Sequence, residues 1–220
     1  MKNKNLICFI PVRSGSTRLK NKNLKKINKL TLTEITINQA LKSNLFRKKN
    51  IVLSSDSNKI LNLGNKFGIN CVKRSQKNSK TFSQVDNAII EFFQKTNQKY
   101  SGIVLLQVTS PLRKISTLKK FVNHSLKKKL DHCLTVTLIN NHISKFSKKY
   151  FNSMYKKREM TQKMIPYLYE NSLLYYVSEK FFKKFKRIYP LKNWNYFITN
   201  KYESIDINDI DDFNICKKLY

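Results

Sequence analysis

Apolar positions along this 220-residue chain follow two alternating rhythms. The first is the short continuous run: LICFIPV (6–12), IVLSSD (51–56), INCVK (69–73), GIVLLQ (102–107) and HCLTVTLI (132–139). Such runs, rich in strand formers and bounded by polar residues, predict strands buried on both faces, as in a parallel sheet. The second is helical spacing. It covers 32–45 through Ile35, Ile37, Ala40, Leu41 and Leu45, and 57–67, where Gly68 closes a short helix. It is clearest at Val85, Ala88, Ile89, Phe92 and Phe93, and returns at Leu118, Phe121, Val122 and Leu126. Strands alternating with helices of this length predict βαβ units. The fold class is therefore α/β: a doubly wound, mostly parallel sheet with helices on both faces.

The rhythm loosens between about 140 and 170, a stretch rich in Lys, Tyr, Phe and Met. It predicts an inserted arm, a lid or an oligomer contact within a single domain spanning 1–220. YENSLLYYV (169–177) returns to strand character, and an aromatic, basic helix is expected over 178–187. DINDIDDFNICKKLY (206–220) predicts a loop leading into a terminal helix. Acids stand at its start, and Lys217 and Lys218 near its end match the helix dipole.

Charge complicates this picture. Lys and Arg number 44 against 13 Asp and Glu, a formal net charge of +31, which makes a polyanion the first partner to consider. The lysines are spread over the whole chain rather than gathered in one stripe, so a solvated surface is the better reading and no nucleic-acid partner is expected. Cys8, Cys71, Cys133 and Cys216 form no CxxC pair, which argues against a zinc site or a disulfide framework. The apolar run at 6–12 is too short to span a bilayer and no small-residue cleavage site follows. A cytoplasmic protein without a membrane partner is the expectation.

Candidate chemistry follows the strands, because open α/β sheets bind ligands beyond the carboxyl ends of parallel strands. After the first strand comes RSGSTRLKNKNL (13–24), long for a βα connection. Arg13, Arg18, Lys20 and Lys22 crowd the point where the first helix should open, and Ser14, Gly15 and Ser16 would let backbone amides approach an anion. The implied ligand is a triphosphate, although neither GxxxxGK[ST] nor GxGxxG is present. After the fourth strand comes QVTSPLR (107–113), where Arg113 supplies a further planar cation for phosphate or carboxylate.

IPVRSGSTRLKNKNL and LLQVTSPLR (105–113) resemble the two signature segments of the acylneuraminate and ulosonate cytidylyltransferases. VLSSDSNKI (52–60), KRSQKNSKTFS (73–83), YENSLLYY (169–176) and SIDINDIDDF (204–213) resemble further segments of that family, in the family's order. The resemblance implies a Rossmann-type fold like that of the nucleotide-diphospho-sugar transferases. The implied reaction couples CTP to the anomeric hydroxyl of an acidic nine-carbon 2-keto sugar, releasing pyrophosphate.

Carried over residue by residue, the resemblance gives Arg13, Lys22, Gln107 and Asp206 catalytic roles. Arg13, Ser14, Gly15, Ser16, Lys22, Asn23 and Arg74 are then expected at the nucleotide. Gln107, Ser110, Arg113 and Asn171 are expected at the sugar, and His142, just past the fifth strand, could reach it. Mg²⁺ is the implied cofactor, with Asp206 and Asn208 as its ligands, and a homodimer is expected with the 140–170 region as its contact. Two positions depart from the family pattern: Asn208 stands where a second aspartate is common, and Lys80 where an acid is usual. GSTRL (15–19) resembles the branch acting on the eight-carbon 3-deoxy-manno-octulosonate, which is the alternative substrate class. The alternatives of another kind are a basic nucleic-acid-binding protein and a non-catalytic relative.

Overall fold

The computed structural model describes residues 5–16, 18–75, 77–79, 84–96, 99–146, 148–155, 157–189 and 192–220. Lys80, and with it the end of the 73–83 segment, lies outside the described residues. The five expected strands are β1 (Leu6–Val12), β2 (Ile51–Ser55), β3 (Asn70–Lys73), β4 (Gly102–Leu106) and β5 (His132–Ile139). Two more complete the sheet: β6 (Tyr167–Ser178) and β7 (Tyr196–Ile198). β7 lacked a readable signal because it is a three-residue edge strand whose residues are largely exposed.

The strand order is β7-β5-β6-β4-β1-β2-β3. β1 pairs in parallel with both β2 and β4, and β2 with β3. β6 enters antiparallel between β4 and β5, so the sheet is mostly, not wholly, parallel. β7 returns parallel to β5. The order therefore reverses between β1 and β4, which is where doubly wound sheets place a ligand crevice.

The apolar runs are continuous because both faces are covered. In β1, Leu6, Cys8, Ile10 and Val12 face one core, while Ile7 and Phe9 face the other. The first core takes residues of α1 (Leu32–Lys42), α2 (Asn58–Phe67), α4 (Ile115–Lys127) and α6 (Ile210–Leu219). The second takes α3 (Val85–Thr96) and α5 (Glu179–Phe185). Burial of this kind contributes about 25 cal/mol per Å² of apolar surface and is the main force holding helices to the sheet.

Local signals set the ends. Thr31 caps α1, accepting from the Glu34 amide while the Glu34 carboxylate accepts from the Thr31 amide. α2 stops at Gly68, whose φ of +63° suits a residue without Cβ. The acids at 209–212 cap α6: Asp209 accepts from the Asp211 and Asp212 amides. Between β5 and β6, where an arm of about 140–170 was expected, Ser144–Lys145 pairs antiparallel with Asn152–Ser153, and Phe146, Phe151, Met160 and Ile165 are exposed. Among the described residues no helix is long and apolar enough to cross a membrane.

A candidate nucleotide site at the strand-order reversal

A cleft of about 350 Å³ opens beyond the carboxyl ends of β1 and β4. Arg13, Arg18, Lys22 and Arg74 line it, and no carboxylate does among the described residues. Four cations gathered on the lining of one concave site favour an anionic ligand.

The first loop, residues 13–24, supplies three of these cations. Asn23 is buried and donates from Nδ2 to the carbonyl of Arg13 at 2.9 Å, which folds the loop back on its own start. Lys22 donates from Nζ to the carbonyl of Ile207 at 2.6 Å, and Arg18 from Nη2 to Oδ1 of Asn208 at 2.6 Å. The loop and the segment before α6 thus meet across the cleft. That segment is fixed in turn to the β4 exit, where the Ile207 amide donates to the Thr109 carbonyl at 2.8 Å. Burial lowers the pKa of Lys22, against the opposing charge of Asp206; the neighbouring Arg18 and Arg13 lower it further.

Arg74 reaches the cleft from the end of β3. It is 7 % exposed, and its guanidinium donates to the Ser54 side chain and carbonyl at 3.3 and 3.2 Å. Burial lowers its pKa, while Asp56 and Glu91 oppose the effect. Glu91 of α3 anchors the residues that follow. It accepts from the Ser75 amide and hydroxyl, from Asn78 Nδ2 at 2.7 Å and from Lys95 Nζ at 2.6 Å.

The expected site residues divide into groups. Arg13, Ser16, Lys22, Asn23, Arg74, Gln107 and Asn208 line the cleft together. Ser14 turns aside: its amide and hydroxyl both donate to Asp56, and it lines a smaller adjoining cavity of about 170 Å³ with Arg13, Asn23 and Lys59. Gly15 lines neither, and a Cβ built on it meets no atom within 4 Å, so no crowding demands glycine there.

Three residues expected at the sugar lie beneath the surface instead. Arg113 is buried, with Nη1 donating to Gln39 at 2.7 Å, Nη2 to the Gln107 carbonyl at 2.6 Å and Nε to the Leu173 carbonyl at 3.3 Å. It braces the β4 exit from below, and its donors are directed at the protein rather than at the cleft. Asn171 is 1 % exposed and spends its amide on Thr135, Thr137, Thr199 and the Leu173 amide. It stabilises the bulge in β6, where the pairing register shifts and Ser172 takes a φ of 57°. Ser110 is fully buried under the same loop. His142 stands on the arm, with Nε2 at 3.0 Å from the Glu159 carbonyl and its ring edge-on to Tyr155, and is not among the cleft residues.

The fit to Mg²⁺ is uneven. Oδ1 of Asp206 is buried without a hydrogen-bond partner among the described residues, an orphaned acceptor that a cation would satisfy. Burial raises the Asp206 pKa. Asn208 is oriented otherwise: its Nδ2 donates to Asp206 Oδ2 at 3.1 Å and its Oδ1 is taken by Arg18. Among the described residues no group of three or more His, Cys, Asp or Glu is placed to hold a metal. Among the described residues the Asp206 carboxylate is thus the ligand offered, which suffices for Mg²⁺ only when phosphate oxygens and water complete the shell.

Gln84, Thr109 and Tyr189 also line the cleft and were not expected there. Thr109 lies inside QVTSPLR, so the motif contained it. Tyr189 arrives on the strap leaving α5, and no periodicity marks its destination.

This strand order, with a cationic cleft at its reversal, defines a doubly wound α/β fold with an anion-binding crevice. The same fold is seen in the structure of a CMP:2-keto-3-deoxy-manno-octonic acid synthetase complexed with CTP, at a TM-score of 0.72 and 12 % identity over 98 % of both chains. A family model described as cytidylyltransferase matches residues 7–213, and the chain belongs to that family. It is 28 % identical over 215 residues to an N-acylneuraminate cytidylyltransferase of Streptococcus agalactiae, covering 94 % of this chain and 51 % of that one. It is 34 % identical over 130 residues to a pseudaminic acid cytidylyltransferase of Campylobacter jejuni, covering 55 % of each. The chain thus spans about half the length of these curated relatives.

Proposed function

We propose that this chain transfers CMP from CTP to the anomeric hydroxyl of an acidic nine-carbon 2-keto sugar. The observation that carries the reading is the convergence of Arg13, Lys22, Arg74 and Gln107 in one cationic cleft at the strand-order reversal of a cytidylyltransferase-family chain. The sugar oxygen bonds to the α-phosphorus, the bond to the bridging oxygen breaks, pyrophosphate leaves and the hydroxyl proton is released.

Such a transfer is driven by positioning and charge neutralisation and needs no covalent nucleophile. Arg13, Arg18 and Lys22 hold the triphosphate and neutralise the charge that builds on pyrophosphate. Arg74 adds a fourth cation from the end of β3, and Gln107 meets the sugar hydroxyls. Asp206 would hold Mg²⁺, which would supply charge neutralisation at the triphosphate. In this reading the protein works in the cytoplasm as a homodimer, with the exposed apolar residues of the 140–166 arm as the contact.

The test is to supply CTP, Mg²⁺ and a panel of nine-carbon and eight-carbon ulosonic acids and to measure pyrophosphate. Release with nine-carbon acids is expected. Release only with the eight-carbon acid transfers the function to that class, and release with none overturns the reading.

A further inference from the structure

Gln107 is the first residue past β4 and is half-buried at the cleft wall. A primary amide has a donor end and an acceptor end, and only its surroundings fix which faces a ligand. Here Nε2 donates to the hydroxyl oxygen of Tyr189 at 2.9 Å. That bond spends one of the two Nε2 hydrogens on the protein and turns the nitrogen end toward Tyr189, which leaves Oε1 as the acceptor offered to a ligand hydroxyl.

Tyr189 is itself held from three sides. Its ring stands edge-on to Tyr175, with centroids 4.9 Å apart and planes at 90°. The preceding residue, Ile188, is fully buried in the core beneath α3 and α5. The Ile188 amide donates to the Asp86 carboxylate at 2.7 Å, which ties the strap leaving α5 to the first turn of α3. Packing alone would be met by phenylalanine. The restraints place a hydroxyl on a ring with few free torsions, directly against the one amide at the β4 exit. Burial also raises the pKa of the phenol, so it keeps its proton and stays a neutral hydrogen-bonding group.

We infer that Tyr189 is a positioning residue, which fixes the amide of Gln107 so that its carbonyl oxygen accepts from the sugar acid. The inference rests on the function proposed above. It predicts an asymmetric effect, because the cations that hold the triphosphate belong to the first loop and to Arg74, not to the Gln107–Tyr189 pair.

The test compares Tyr189→Phe, Gln107→Ala and the double variant with the unsubstituted protein. KM for the sugar acid, kcat, the melting temperature and CTP binding by calorimetry are measured for each. Tyr189→Phe is expected to raise KM for the sugar acid about five- to tenfold, the loss of one neutral hydrogen bond. CTP affinity and melting temperature should stay unchanged, and the double variant should match Gln107→Ala, since the hydroxyl acts only through that amide. Three results overturn the inference while leaving the function intact: unchanged KM in Tyr189→Phe, an equal weakening toward CTP, or additive losses in the double variant. If the unsubstituted protein turns over no acid of the panel, the functional reading fails and the inference falls with it.

Discussion

Arg18 donates to the side-chain oxygen of Asn208 at 2.6 Å, joining the first loop to the segment ahead of the last helix. An aspartate at 208 would present a second carboxylate beside Asp206, whose Oδ2 is 3.1 Å from the present amide nitrogen. Asn208→Asp is therefore expected to lower the half-saturating Mg²⁺ concentration roughly tenfold, since ligand charge sets affinity for hard cations. Mn²⁺ titration followed by electron paramagnetic resonance, with and without CTP, checks this apart from turnover. An unchanged titration would show that position 208 does not face the metal.

Arg13 opens the loop at the cleft and its removal should cost transition-state stabilisation more than fold. Arg13→Ala is expected to lower kcat/KM about 10²- to 10³-fold, the usual loss when one charge-stabilising donor is removed. Circular dichroism should be unaltered, and activity near that of the unsubstituted protein would remove the first loop from the site.

Lys22 gives the site a pH dependence on its alkaline side. Burial lowers its pKa from the ordinary lysine value of 10.5, so its charge is lost at lower pH than in a solvated lysine. CTP affinity should therefore decline as pH rises, beginning below 10.5. Lys22→Arg keeps the charge throughout and should flatten that limb. Calorimetry of CTP binding across the alkaline range supplies the measurement.

Glu91 should govern acid stability. Burial alone would raise its pKa, but Lys95, Asn78 and Ser75 bond the ionised form and bring it from 4.5 to about 2. A depressed carboxyl contributes stability that is complete above the unfolded value, here 4.5, and is lost as pH falls toward about 2. Glu91→Gln is expected to melt several degrees lower at neutral pH and to lose stability less steeply over that acid window. Thermal melts at intervals of pH resolve the two slopes.

Asn171 tests the distinction between a ligand contact and a structural knot. Its amide joins three threonine hydroxyls from β5 and the segment after β7. Asn171→Ala should destabilise the fold by roughly 2–3 kcal/mol, because those buried hydroxyls and the Leu173 amide each lose one hydrogen bond. Denaturant unfolding gives the value; loss of activity at unchanged stability would return Asn171 to the substrate.

The five apolar strands and the helices between them were legible because burial on both faces leaves a continuous run, and burial on one side leaves a stripe. The direction of β6 was not legible: YENSLLYYV reads the same whichever neighbour it pairs with. That the first loop and Gln107 would stand at the cleft was readable because they directly follow strands. Arg113, Asn171 and Ser110 were read as sugar contacts because a motif records which residues stand together. It does not record whether their polar groups face a ligand or each other. Tyr189 escaped notice because its place depends on Asp86, distant in sequence, holding the strap that carries it.

The antiparallel entry of β6 has a consequence for how this scaffold can diversify. β5 ends and β6 begins at the sheet edge that carries the cleft, with Ile139 paired to Tyr167. Everything between them must leave and re-enter on that same side. A loop with both ends fixed in this way tolerates changes in length, each doubling costing only about 0.6 kcal/mol. The stretch with the least sequence rhythm is thus the one whose remodelling reshapes the cleft's surroundings while the sheet beneath is left as it was.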